Sequence, residues 1–85
     1  MIHEKKINTI YFEKILNNEK NFEVRLGDEN YSPGDTIILK EITLEREYTG
    51  REIKKEITYV TNTTKCNYWP KEDIEKYGLA IIGFK

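Results

Sequence analysis

The segment "NEKNFEVR" brings three ionisable residues together: Lys20, Glu23 and Arg25. If it is a strand, side chains two apart share a face, so Glu23 and Arg25 point the same way. Lys20, where the preceding helix would end, can swing toward them. Opposite charges this close favour each other's ionised forms. Arg25 then offers a planar fork suited to a phosphate or a base edge, Lys20 adds positive charge, and Glu23 orients both or accepts from an exocyclic amine. The same pattern also describes an exposed ion pair on a strand, which contributes about 0.2 to 1 kcal/mol.

Few other residues suggest chemistry. His3 is the single histidine, and no second His or Cys lies at ligand spacing, so no metal site and no cofactor are expected. Cys66 is the single cysteine and cannot form an internal disulfide. It would make a nucleophilic pair with His3 only if the fold joined them. Ser32 is the sole serine and precedes Pro33, a turn position, which excludes a serine triad. In "NYWP", Tyr68 and Trp69 occupy a segment of loop character, where a base could stack on Trp69 or the ring could pack as a lid. Asn30 and Tyr31, with Asp28, follow the motif strand and could line the same cleft. Asn30 serves equally well as a plain turn residue.

The elements that must position these groups are legible in the spacing. "IHEKKI" (residues 2–7) reads as an edge strand. "NTIYFEKILNN" places Tyr11, Phe12, Ile15 and Leu16 on one stripe of a helix of about three turns, capped by Asn8 or Thr9 and closed by Asn17 and Asn18. "KNFEVRL" alternates, with Phe22, Val24 and Leu26 predicted toward the core and Glu23 and Arg25 on the other face. "SPGD" predicts a type II turn with positive φ at Gly34. "DTIILKEITL" reads as a strand, Thr49 and Gly50 as a turn, and "REIKKEITYV" as the next strand. Residues 61–69 read as loop, "PKEDIEKYG" as a short helix, and "LAIIGF" as a closing apolar strand. Several short strands around one main helix suggest a small α+β barrel covered by that helix.

Bulk properties narrow the function. A chain of 85 residues is expected to form a single domain, residues 1–85, burying on the order of 60% of its unfolded surface, so any site should be a shallow cleft. A net charge of −1 argues against a protein that tracks many phosphates, since that binding draws on clustered Lys and Arg. No apolar run approaches the roughly 20 residues of a membrane span, and "MIHEKKIN" lacks a signal core, so a cytoplasmic location is expected.

"NEKNFEVR" resembles the G-x-K-x-x-E-x-R signature of ASCH domains, a branch of the PUA-like superfamily, placed just after the first helix. "HEKKI", "DENYSPGDTIILKE", "YTGREIKKEITYV" and "GLAIIGFK" extend the resemblance over nearly the whole chain, toward small ASCH-type proteins of bacteria and phages. Asn18 stands where that signature has Gly. The resemblance implies a PUA-like β-barrel of about five strands with one main helix packed against it. It also implies a cleft lined by Lys20, Glu23 and Arg25, with His3 as a secondary contact, and a role in binding RNA. Some ASCH members are amidohydrolases on N4-acetylcytidine that use a lysine, a threonine and a distant glutamate; here Lys20 fits the lysine but Glu23 occupies the threonine's place. Binding of one or two unpaired nucleotides of RNA, or of a nucleotide-like ligand, is therefore expected over catalysis. The alternatives are a small amidohydrolase and an accessory domain that takes a protein partner through a strand edge or the "NYWP" loop.

Overall fold

The computed structural model of the chain describes residues 1–63 and 70–85. Cys66, Tyr68 and Trp69, singled out in the sequence, lie outside the described residues. The elements follow in the order β1 (Ile2–Asn8), α1 (Thr9–Leu16), β2 (Phe22–Leu26), β3 (Thr36–Ile42), β4 (Tyr48–Asn62), α2 (Lys71–Lys76) and β5 (Leu79–Phe84).

The five strands form one mixed sheet in the order β1-β3-β4-β5-β2. β1 runs parallel to β3, and the other pairs are antiparallel. This is an α+β architecture, but the sheet is not closed into the barrel expected from the sequence. β1 and β2 remain its two edges, because no backbone ladder joins them. α1 packs on the inner face, where Phe12 and Ile15 meet Ile37, Leu39, Ile57 and Ile82 in the core.

Local rules account for several boundaries. Asn8 stands at the N-cap of α1 in extended conformation, although its side chain makes no capping bond. Asn18 leaves the helix at φ 62, which Asn tolerates better than other non-glycine residues. In "SPGD" the Asp35 amide donates to the Ser32 carbonyl at 3.1 Å and Gly34 has φ 93. The apolar stripe of α1 is narrower than the spacing predicts: Phe12 and Ile15 are buried, while Tyr11 and Leu16 are half exposed.

Two expectations change. Thr49 and Gly50 do not turn the chain between strands. They lie inside the 15-residue β4, where the pairing with β3 shifts register, and Gly50 at φ 91 supplies the bulge. The reversal occurs at Thr43–Glu47, with the Thr43 amide donating to the Glu47 carbonyl at 2.8 Å and Arg46 held at φ 64.

The second change concerns β2. Phe22, Val24 and Leu26 face outward, with Val24 48% exposed, and Glu23 is the buried residue at 6%. β5 is apolar on both faces, so it accepts either face of β2. In the observed register Val24 lies opposite Ile81 and Leu26 opposite Leu79, giving apolar cross-strand pairs on the outer face. Glu23 and Arg25 then oppose Ile82 and Ala80 on the inner face, where their charges must be met by partners.

Candidate functional site

Those partners are at hand. Glu23 accepts from Lys20 Nζ at 2.8 Å through one carboxylate oxygen and from Arg25 Nε at 2.9 Å through the other. Lys20 also donates to the Phe22 carbonyl at 2.7 Å. Arg25 reaches across the open side of the sheet and donates to the main-chain carbonyl of Lys6 in β1. Helix end and strand therefore supply the two cations, and a buried carboxylate with both oxygens engaged sets their orientation.

The cluster opens onto a hollow of about 500 Å³ between the edges of β1 and β2, a size typical of small-ligand sites. Lys20, Glu23 and Arg25 all line it, joined by Arg46 from the β3–β4 turn. With Lys6 of β1, four cations thus line it against one carboxylate. The side chains of Lys20 and Arg25 are only 16% and 26% exposed, so this is not the solvent-exposed ion pair that spacing alone also allowed. Burying charge contributes little net stability even when it is paired, so a need for stability does not account for the arrangement. It leaves a preorganised set of donors facing an open volume.

Tyr11 of α1 lines the hollow as well, half exposed, with Lys20 Nζ 5.6 Å from its ring centroid. Ile7 and Ile42 form apolar wall, and Lys6 and Asn8 border it from β1. The Lys6 ammonium leans over the Tyr48 ring at 5.7 Å. Tyr11 and Arg46 were missed from the sequence: Tyr11 counted as part of the core stripe, and nothing local marks Arg46.

His3 and Tyr31 come together elsewhere, with ring centroids 4.7 Å apart, and neither lines the hollow. His3 is buried, its Nδ1 2.9 Å from Glu29 and its Nε2 2.9 Å from Asp35. Lys5 and His3 hold the Glu29 carboxyl below its ordinary range, and His3 with the terminal amine does the same for Asp35. Burial pushes the Tyr31 hydroxyl up, and it has no hydrogen-bond partner among the described residues. These contacts tie the loop before β3 to β1. Asn30 is exposed in that loop and does not line the hollow.

A third polar cluster escaped the sequence reading. Glu41 is 2% exposed on the inner face of β3, on the same parity as Ile37 and Leu39. It accepts from Thr49 Oγ1 at 2.6 Å and from Arg51 at 2.8 and 2.9 Å. Arg51 and Thr49 draw its carboxyl down to about 2, and the guanidinium pKa rises in return. Arg51 bonds also to Glu13 and lies over the Phe12 ring, clamping α1 to the sheet. An acid alternating with core isoleucine and leucine was the available signal.

Among the described residues no group of three His, Cys, Asp or Glu side chains is placed to hold a metal ion. No helix among them is long and apolar enough to cross a membrane.

Comparison with known proteins finds a family model, a curated relative and a solved structure that resemble the chain. Residues 2–74 match a domain of unknown function, DUF3850. An uncharacterised 12.9 kDa protein from the GpA 3′ region of Escherichia phage P2 is 43% identical over 61 residues, covering 72% of this chain. The matched stretch spans about half of that relative's length, 55%. The crystal structure of hypothetical protein PH0355 superposes with a TM-score of 0.69 at 21% identity, covering 100% of this chain and 98% of the other. At that identity the likeness is one of fold.

Proposed function

The chain belongs to the DUF3850 family, a domain of unknown function, and we propose that its hollow binds an unpaired nucleotide of RNA, or a nucleotide-like ligand, through the phosphate. One observation carries this reading: Glu23 uses both carboxylate oxygens to hold Lys20 and Arg25 side by side at the wall of a 500 Å³ hollow. Arg25, whose Nε and Nη2 already bond Glu23 and the Lys6 carbonyl, turns its Nη1 to a phosphate oxygen, with Lys20 and Arg46 adding charge. Tyr11 offers an aromatic face at the rim, where a base stacks at little cost in specificity. The resemblance of "NEKNFEVR" to the ASCH signature supports the same three positions and, with it, a PUA-like ancestry for the open sheet.

The net charge of −1 restricts the contact to one or two nucleotides. Hydrolysis of an acylated cytidine would call for an activated nucleophile, and the only hydroxyl among the described lining residues is that of Tyr11. The reading is therefore a binding module, with the hydrolase as its alternative.

Titration of the labelled protein with uridine 5′-monophosphate and a short single-stranded RNA tests it. Amide shifts should move at Lys20, Glu23, Arg25 and Tyr11. No movement at millimolar ligand rejects the proposal, and acetate release from N4-acetylcytidine that depends on Lys20 would replace it with the hydrolase.

A further inference from the structure

We propose that the open main-chain edge of β2 at Val24 reads the Watson–Crick edge of the bound base. The inference rests on the nucleotide reading above and adds the group that recognises the base.

The register supplies the argument. In β2, the Phe84 amide donates to the Asn21 carbonyl and the Gly27 amide to the Gly78 carbonyl. Asn21, Glu23, Arg25 and Gly27 therefore turn their main-chain groups toward β5, and the residues between them turn theirs away. The Phe22 carbonyl confirms the alternation, since it accepts from Lys20 on the open side. The Val24 N–H and C=O point the same way. Val24 lines the hollow, β2 has no second neighbour in the sheet, and no described residue pairs with these two groups. On β1, the Thr36 amide donates to the Met1 carbonyl, which by the same alternation turns Lys6 toward the seam, where its carbonyl accepts from Arg25.

Val24 thus presents one donor and one acceptor, side by side, beside the cations that would hold a phosphate. Each nucleobase carries an adjacent donor and acceptor on its Watson–Crick edge, so the match requires an unpaired base and favours no particular sequence. An extended peptide could also pair with an open strand edge. Arg25 already spans the seam from β2 to Lys6, so a through-running strand would have to displace it, whereas a compact flat group need not.

The test varies both sides of the contact. Uridine 5′-monophosphate, its N3-methyl derivative and its C5-methyl derivative are titrated while the Val24 amide is followed by NMR. The N3-methyl group should weaken binding about tenfold and leave the Val24 amide unmoved, whereas the C5-methyl group should change affinity by less than about twofold. Val24→Pro removes only a donor that the ladder does not use, a substitution edge strands tolerate. It should cost the unmodified nucleotide about tenfold and the N3-methyl derivative little. Equal affinity for all three nucleotides overturns the base reading while leaving phosphate binding intact. Failure of every nucleotide to bind overturns both. A (Thr-Val)3 peptide that moves the Val24 amide where nucleotides do not would overturn it in favour of a peptide. If Val24→Pro fails to fold, the methylated ligands still decide.

Discussion

Arg25 of β2 donates to the main-chain carbonyl of Lys6 in β1, so a side chain crosses the one seam of the sheet that no backbone ladder closes. Because the two edges stay apart, the space between them is a hollow lined by Lys20, Glu23 and Arg25 instead of another row of the core.

Removing either cation should weaken nucleotide binding. Arg25→Ala and Lys20→Ala are each expected to reduce affinity for uridine 5′-monophosphate by roughly tenfold or more, the usual scale for a hydrogen bond to a charged group. Calorimetric or NMR titration checks it. The dependence of log K on log salt should be shallow, with a slope of about −0.7 per phosphate bound.

Glu23→Gln separates orientation from net charge. It makes the hollow more positive, so charge alone predicts tighter binding. Because Glu23 holds Lys20 and Arg25 in register, the expected result is roughly three- to tenfold weaker binding, from loss of a preorganised donor pair. Tighter binding by the variant would show that Glu23 merely dilutes the field.

Acid should destabilise the fold through Glu41. Its carboxyl is lowered from an ordinary 4.5 to about 2 by Arg51 and Thr49. A carboxylate with a depressed folded pKa contributes stability that is complete above the unfolded value and disappears as pH falls through the folded one. The loss should therefore fall between about pH 4.5 and 2, with Glu29 and Asp35 adding to it in the same direction. Melting temperatures across that range should decline less steeply in Glu41→Gln than in the native protein.

Ile15→Ala should lower stability by about 2 to 5 kcal/mol, since the side chain is fully buried between α1 and the sheet. Urea denaturation measures this. A smaller loss would mean that α1 can settle into the space.

Two glycines should respond differently to alanine. Gly34 has φ 93 with open space around it, so Gly34→Ala carries only the backbone cost of about 1 to 2 kcal/mol. A Cβ at Gly27 would lie 2.4 Å from Asn62 Nδ2 and 2.7 Å from the Tyr77 carbonyl, so Gly27→Ala must shift the chain after α2. It should cost more than Gly34→Ala in the same denaturation experiment.

Short-range rules explain what could be read from the chain in advance. The start of α1 after Asn8, the left-handed Asn18 and the Ser32–Asp35 turn each depend on a few neighbouring residues and stand where the sequence places them, although the side-chain cap expected at Asn8 does not form. The motif Lys20, Glu23 and Arg25 was legible for the same reason, as a helix end followed by a strand of period two.

The orientation of that strand was not. Alternation alone puts Phe22, Val24 and Leu26 inside, but β5 is apolar on both faces and leaves the choice to longer-range partners. Glu23 could turn inward because Lys20 and Arg25 satisfy its charge, while Val24 and Leu26 found Ile81 and Leu79 outside. The hollow itself depends on β1 and β2 ending at opposite edges of the sheet, and Arg46 and Tyr11 enter it from a turn and a helix with no mark in their own segments. Local sequence determined the elements and the charged motif. Which side of β2 meets the interior, and what shares the space there, was decided by strand order and cross-strand pairing between residues far apart in the chain.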